Sequence, residues 1–136
     1  MLAQVVVMLL VGLVLEDGDI MMHSIGQALT AGALNTIFTV PAGYKALVSM
    51  IYISNQDSVN KTIDVGWLHN HGTPHTIRIV TNYNLAANTF IQFDTGSLVI
   101  QAGDALTMTP EAGAVMDCVV TFKLYKETPI AFFTPE

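Results

Sequence analysis

The chain has 136 residues, 51% hydrophobic and only 12% charged, with 5 Lys and Arg against 11 Asp and Glu for a formal net charge of −6. The length suits one domain with a sizeable core, and the apolar content excludes a disordered chain. The acidic balance argues against a nucleic-acid partner, whose phosphates need clustered Lys and Arg, and the single cysteine, Cys118, excludes an intrachain disulfide and CxxC-type zinc sites.

The first element is an apolar run at residues 2–15, LAQVVVMLLVGLVL. It falls short of the roughly 20 apolar residues that a spanning helix needs, so no membrane partner is expected. A cleaved signal would carry Lys or Arg before the apolar stretch and an A-x-A-like site after it. Here the first basic residue is Lys45, and Glu16-Asp17-Gly18-Asp19 follows the run, so a retained segment is expected. Its β-branched content, with Val5, Val6 and Val7 in series, predicts a buried strand or apolar arm. A strand apolar on both faces has to be covered on both, which a neighbouring subunit would do. A helix lying on the domain's own surface is the alternative. Val5, Val7, Leu9, Leu10 and Leu13 are the candidate assembly contacts in this N-terminal arm, taken as residues 1–22.

Residues 24–32, SIGQALTAG, read as one turn of helix or a loop. From there on the pattern is β. Residues 35–40 lead into the turn Pro41-Ala42-Gly43. Residues 45–55 carry two apolar sets, Ala46, Val48, Met50 and Tyr52 on one face and Leu47, Ile51 and Ile53 on the other, as a central strand would. After the turn cluster Asn55-Gln56-Asp57-Ser58, residues 61–68 set Ile63, Val65 and Trp67 against Thr62 and Asp64. Residues 76–82 alternate Ile77 and Ile79 with Thr76, Arg78 and Val80. Short strands are expected at 90–93 and 98–100, then the turn Gln101-Ala102-Gly103-Asp104, a strand at 105–109, the turn Pro110-Glu111-Ala112-Gly113 and a strand at 115–125. In that last strand Met116, Cys118, Val120, Phe122 and Leu124 share one parity, which makes Cys118 a small buried hydrophobe. About eight short strands at roughly ten-residue spacing predict an all-β fold, an antiparallel β-sandwich or jelly roll over residues 23–126.

The C-terminal tail, 127–136, is broken by Pro129 and Pro135 yet carries Ile130, Phe132 and Phe133. It either folds back on the domain or docks on another chain, where each large side chain could contribute about 1.5–3 kcal/mol of burial. The charged fraction is about half the ~25% usual for a soluble domain. Either the surface is neutral-polar or partners cover it. Two apolar ends on a small acidic domain favour an assembly protein, a homo-oligomer included.

Chemistry has few candidates. His69, His71 and His75 lie within one short segment, and on a strand His69 and His71 share a face while His75 returns across Gly72-Thr73-Pro74. Such a trio can bind a transition metal through neutral imidazoles; the plainer reading is a polar hairpin tip, and no metal or other cofactor is expected. Cupins are jelly rolls with His-x-His, a following Glu and a later His. Here His69-x-His71 and a Gly103-Asp104 turn are present, but the Glu and the later His are missing, which argues against a cupin enzyme. Glu111 and Asp117 are close in sequence without evidence of a shared cleft. No G-x-S-x-G elbow, phosphate loop or GxGxxG motif occurs, so no catalytic residue is assigned. Trp67, Tyr44, Tyr52, Tyr83 and Tyr125 could make a sugar-stacking platform but more often pack strand faces.

Two stretches carry a resemblance. One is Phe38-Thr39-Val40-Pro41-Ala42-Gly43-Tyr44-Lys45-Ala46-Leu47-Val48 with Ile51-Tyr52-Ile53-Ser54-Asn55. The other is Gly96-Ser97-Leu98-Val99-Ile100-Gln101-Ala102-Gly103-Asp104-Ala105-Leu106, ending in Val119-Val120-Thr121-Phe122-Lys123-Leu124-Tyr125. Together they frame residues 36–126 and resemble small β-sandwich virion proteins of tailed bacteriophages, a loose family of capsid decoration (cement) proteins, head fibres and neck or tail components. The resemblance implies a non-enzymatic virion protein on the outer capsid surface. Its partners would be the major capsid protein or other virion subunits, and it would often be a trimer. A neck, tail or fibre component, a receptor- or glycan-binding module and a His-dependent metal protein are the alternatives.

Overall fold

The computed structural model describes residues 21–127. Its regular elements are eight strands: β1 (Met21–Ala28), β2 (Asn35–Thr39), β3 (Tyr44–Asn55), β4 (Lys61–His69), β5 (His75–Leu85), β6 (Thr89–Ile100), β7 (Ala105–Pro110) and β8 (Met116–Lys126). The pairing is nested and antiparallel: β1 with β8, β2 with β7, β3 with β6 and β4 with β5. The chain is thus one long hairpin with its tip between β4 and β5. Rolled up, it makes two four-stranded sheets, β1-β8-β3-β6 and β2-β7-β4-β5. This is a jelly roll, as the turn spacing predicts. Among the described residues no helix is long and apolar enough to cross a membrane.

The sequence pattern explains the layers. β8 alternates without interruption, and Met116, Cys118, Val120, Phe122 and Leu124 all face the core. Cys118 is buried, and that burial, with Asp117 beside it, pushes its thiol up to about 12. β3 is central in its sheet, bonded to β8 on one side and β6 on the other, as its two apolar faces predict. Its parity is corrected, however. Ser49 is an extra residue opposite β8, between Val48↔Phe122 and Met50↔Thr121, and its hydroxyl donates to the Thr121 carbonyl at 3.1 Å. The bulge moves Ile51 and Ile53 onto the core side with Ala46 and Val48, and sends Met50 and Tyr52 outward with Leu47.

Other expectations change for similar reasons. Residues 24–28 are neither helix nor loop but part of β1, an edge strand whose Ile25 reaches the core. β1 also takes in Met21 and Met22, at the end of the expected arm. The two short strands expected at 90–93 and 98–100 are one strand, β6, bulged around Gly96 at φ 50, with the Thr95 hydroxyl bonded to the Val48 carbonyl. The missed first strand and the merged pair cancel in the strand count. On β5, an edge strand, Ile77 and Ile79 are exposed, while Val80, Tyr83 and Leu85 turn inward. The shift follows irregular pairing with β4 and the left-handed Asn82 at φ 50. The N-terminal contacts Val5, Val7, Leu9, Leu10 and Leu13 and the tail residues Ile130, Phe132 and Phe133 lie outside the described residues.

Two buried asparagines hold the loops that join the sheets. The Asn35 amide donates to the carbonyls of Thr30, Ala33 and Met108, and the Asn55 amide to those of Val59, Leu85 and Ala86, all at 2.9–3.2 Å. Buried amides are tolerated when so satisfied. Between the sheets, Phe38 of β2 stacks on Phe122 of β8 with centroids 4.4 Å apart, and neither ring is exposed. This contact is the centre of the core. Phe122→Ala is expected to lower the unfolding free energy by about 3–5 kcal/mol, read from chemical denaturation midpoints.

Candidate functional site

The tip of the rolled hairpin gathers three of the chain's four histidines. β4 ends at His69 and β5 begins at His75, and the two are cross-strand partners with ring centroids 5.3 Å apart. His71 stands in the intervening loop, which turns at Gly72 with φ 74. Against this tip lies the 101–104 turn that feeds β7. Gly103, at φ 85, lets the turn close, and its N–H and the Asp104 carbonyl bracket Val40 at the end of β2. Three parts of the roll therefore meet at Asp104.

The Asp104 side chain has no solvent exposure. Its Oδ2 accepts the Trp67 indole N–H at 2.9 Å, and its Oδ1 accepts the Asn70 backbone N–H at 2.8 Å. His71 Nδ1 lies 3.0 Å from Oδ1, and His69 Nδ1 lies 3.4 Å from Oδ2. Burial alone would push this carboxyl up. The Asn70 and Trp67 hydrogen bonds, with the His71 and His69 imidazoles, outweigh it and hold the carboxyl below its ordinary value. Asp104 is thus a buried carboxylate kept ionised by donors from β4 and the tip loop. One atom is left over: His69 Nδ1 is shielded from solvent without a hydrogen-bond partner, an arrangement that typically costs about 1–3 kcal/mol.

The predicted trio is regrouped. His69 and His71 do come together, and each offers a nitrogen within 4.8 Å of the other's and of an Asp104 oxygen. His75 turns its Nδ1 to the Thr73 carbonyl, 3.0 Å away, and stands outside that cluster. Asp104 takes its place. The sequence offers one signal for it, a lone Asp closing a Gly-containing turn directly before a fully apolar strand start, but nothing in one dimension ties that turn to residues 69–71. His23 lies apart on β1, edge-on to Phe122, where burial lowers its pKa.

The other candidates disperse. The Glu111 carboxylate accepts the Thr62 N–H at 2.9 Å and lies 3.8 Å from Lys61, whereas Asp117 accepts from Gln56 at 2.7 Å. They share no cleft. Trp67, Tyr44 and Tyr83 pack against the core, while Tyr52 stacks on exposed Phe90 across the outer face of the first sheet. The aromatics therefore do not line up as one platform.

No family model and no curated protein matches the sequence. Solved structures do match. A chain from the disulfide-linked pili of Bacillus endospore appendages is 12% identical with a TM-score of 0.51, covering 82% of this chain and 91% of that one. A chain of infectious bursal disease virus, Gx strain, is 11% identical with a TM-score of 0.52, covering 82% of this chain and 33% of that one. The Tobacco streak virus coat protein is 14% identical with a TM-score of 0.43, covering 86% and 92%. The likeness is one of fold. An all-β sandwich of this topology is common to a virus and a pilus, and the sequences have little else in common.

The Asp104 contacts make an acid-sensitive joint. A carboxylate whose folded-state pKa is depressed contributes fully above its unfolded value, and the contribution is lost as pH falls through the folded value. Asp104→Asn is expected to cost about 1–3 kcal/mol at neutral pH, because the amide cannot accept from every surrounding donor. Below about pH 4 the gap between wild type and variant should narrow, as seen in urea midpoints measured across that range.

Proposed function

We propose that this chain is a non-enzymatic virion structural protein, a decoration or cement protein that bridges neighbouring subunits on the outside of a tailed-phage capsid. The observation that carries the reading is the outer face of the β1-β8-β3-β6 sheet. A face turned to water is expected to be polar. Here Leu47, Val99 and Tyr125 line a shallow hollow beside Lys45, and Tyr52 stacks on Phe90 farther along the same face. Phe90 is 60% exposed and Val99 42%. Exposed apolar side chains grouped on one sheet face support an interaction site there.

Three further features support it. The motif resemblance runs through the strands and turns of the jelly roll. The low charge suits a protein whose surface is shared with partners. The two apolar ends, with Val5, Val7, Leu9, Leu10 and Leu13 at one and Ile130, Phe132 and Phe133 at the other, suit arms that reach under neighbours or add a strand to a partner's sheet edge. A protein bound to the assembled lattice and not to its dissociated subunits stabilises the lattice by mass action. Catalysis plays no part in such a role.

Quantitative protein gels and electron cryomicroscopy of purified particles test the reading. Copies in the hundreds over the shell are expected. A few to a few dozen at one vertex would reassign the chain to the neck, tail or a fibre, and absence from particles would overturn a virion role. Deleting residues 1–15 is expected to reduce incorporation and lower the temperature at which shells release DNA. Unchanged incorporation would dismiss the arm. Val99→Asp is expected to weaken attachment while leaving the isolated domain folded, since the side chain lies outside the core; copy number per particle checks it.

A further inference from the structure

The hairpin tip holds a set of groups that packing alone does not explain. The Asp104 side chain is fully buried, and the imidazoles of His69 and His71 lie against its two carboxylate oxygens. His69 Nδ1 is equally shielded, 3.4 Å from Oδ2, yet makes no hydrogen bond. An unpartnered imidazole nitrogen facing a buried carboxylate is an arrangement that a bound cation would satisfy. We propose that His69, His71 and Asp104 form a binding site for a transition-metal dication of the zinc type.

The ligand chemistry selects that class. Imidazole nitrogen with one carboxylate suits zinc and its neighbours, whereas calcium and magnesium prefer six or more oxygens. The geometry is close to what binding needs. Tetrahedral ligands at about 2.1 Å from a metal stand about 3.4 Å from one another. His71 Nδ1 lies 3.0 Å from Oδ1 and His69 Nδ1 3.4 Å from Oδ2, and one atom from each of the three residues falls within 4.8 Å of the others, so the side chains would draw together slightly on binding. Trp67 and Asn70 hold the Asp104 carboxylate in place from behind, as groups outside a metal's ligand set do. His69 ends a paired strand, while exposed His71 has room to adjust. Three protein ligands would leave a fourth position for water or another donor. The metal would neutralise the buried carboxylate and tie the β4–β5 tip to the turn before β7.

The test uses the full chain, stripped with chelator and titrated with zinc at neutral pH by calorimetry and thermal denaturation. One equivalent per chain and a rise in melting temperature that chelator reverses are expected. His69→Ala and His71→Ala should each weaken binding at least about tenfold, since even groups behind a metal ligand contribute that much. His71 is exposed, so its replacement tests the site without threatening the fold, and circular dichroism checks the His69 variant. His23→Ala and His75→Ala should leave binding unchanged. Absence of saturable binding at millimolar zinc overturns the proposal, as does binding that either His69→Ala or His71→Ala leaves intact. Loss of binding in His75→Ala overturns the ligand set.

Discussion

The unbroken alternation of β8 sets the register of the whole first sheet. Its inward row, Met116 to Leu124, is buried along its length, and a one-residue slip would turn that row to water. Both neighbours have to conform. β1 does so with an even register from Met21↔Leu124 to Ala28↔Asp117. β3 cannot, because its apolar residues change parity halfway, and the bulge at Ser49 absorbs the mismatch. β6 then bulges in turn to stay paired with β3. Two irregularities thus follow from one rigid strand, and together they keep the core continuous up to the Phe38–Phe122 stack.

The nested pairing has a second consequence. Rolling a long hairpin brings its tip back over the turn between β6 and β7, which lies some thirty residues farther along the chain. The junction is sealed by a charge rather than by apolar packing. Asp104 is tolerated there because the Trp67 indole and the Asn70 backbone N–H donate to it and the His71 and His69 imidazoles lie beside it. The same convergence leaves His69 Nδ1 without a partner. Among the described residues, the buried charge therefore sits beside the one buried side-chain nitrogen without a hydrogen bond.

Surface and core follow different economies in this molecule. The interior satisfies its two buried asparagines and encloses its cysteine. Outside, Val99 beside half-buried Leu47 and Tyr125 on one sheet, and Ile77 and Ile79 on the β5 edge, are exposed among the described residues. Its fold is similar to that of chains from a virus and from a pilus.

By itself, the sequence determined the fold class, most strand positions and the burial of β8, because alternation and turn residues are local signals. Pro41-Ala42-Gly43 and Gln101 to Asp104 mark their turns unaided, and the parity of Met116 to Leu124 reads directly as a core row. Parity across a bulge is not local. Whether Ile51 sides with Met50 or with Val48 depends on a partner strand some seventy residues away. The first strand escaped notice because Ser24, Gly26, Gln27 and Ala28 have weak strand preference and are held by pairing to β8. The site divides the same way. The histidines were legible as a cluster, but only the tertiary structure exchanged His75 for Asp104, since the roll, not the chain, makes residues 69 and 104 neighbours.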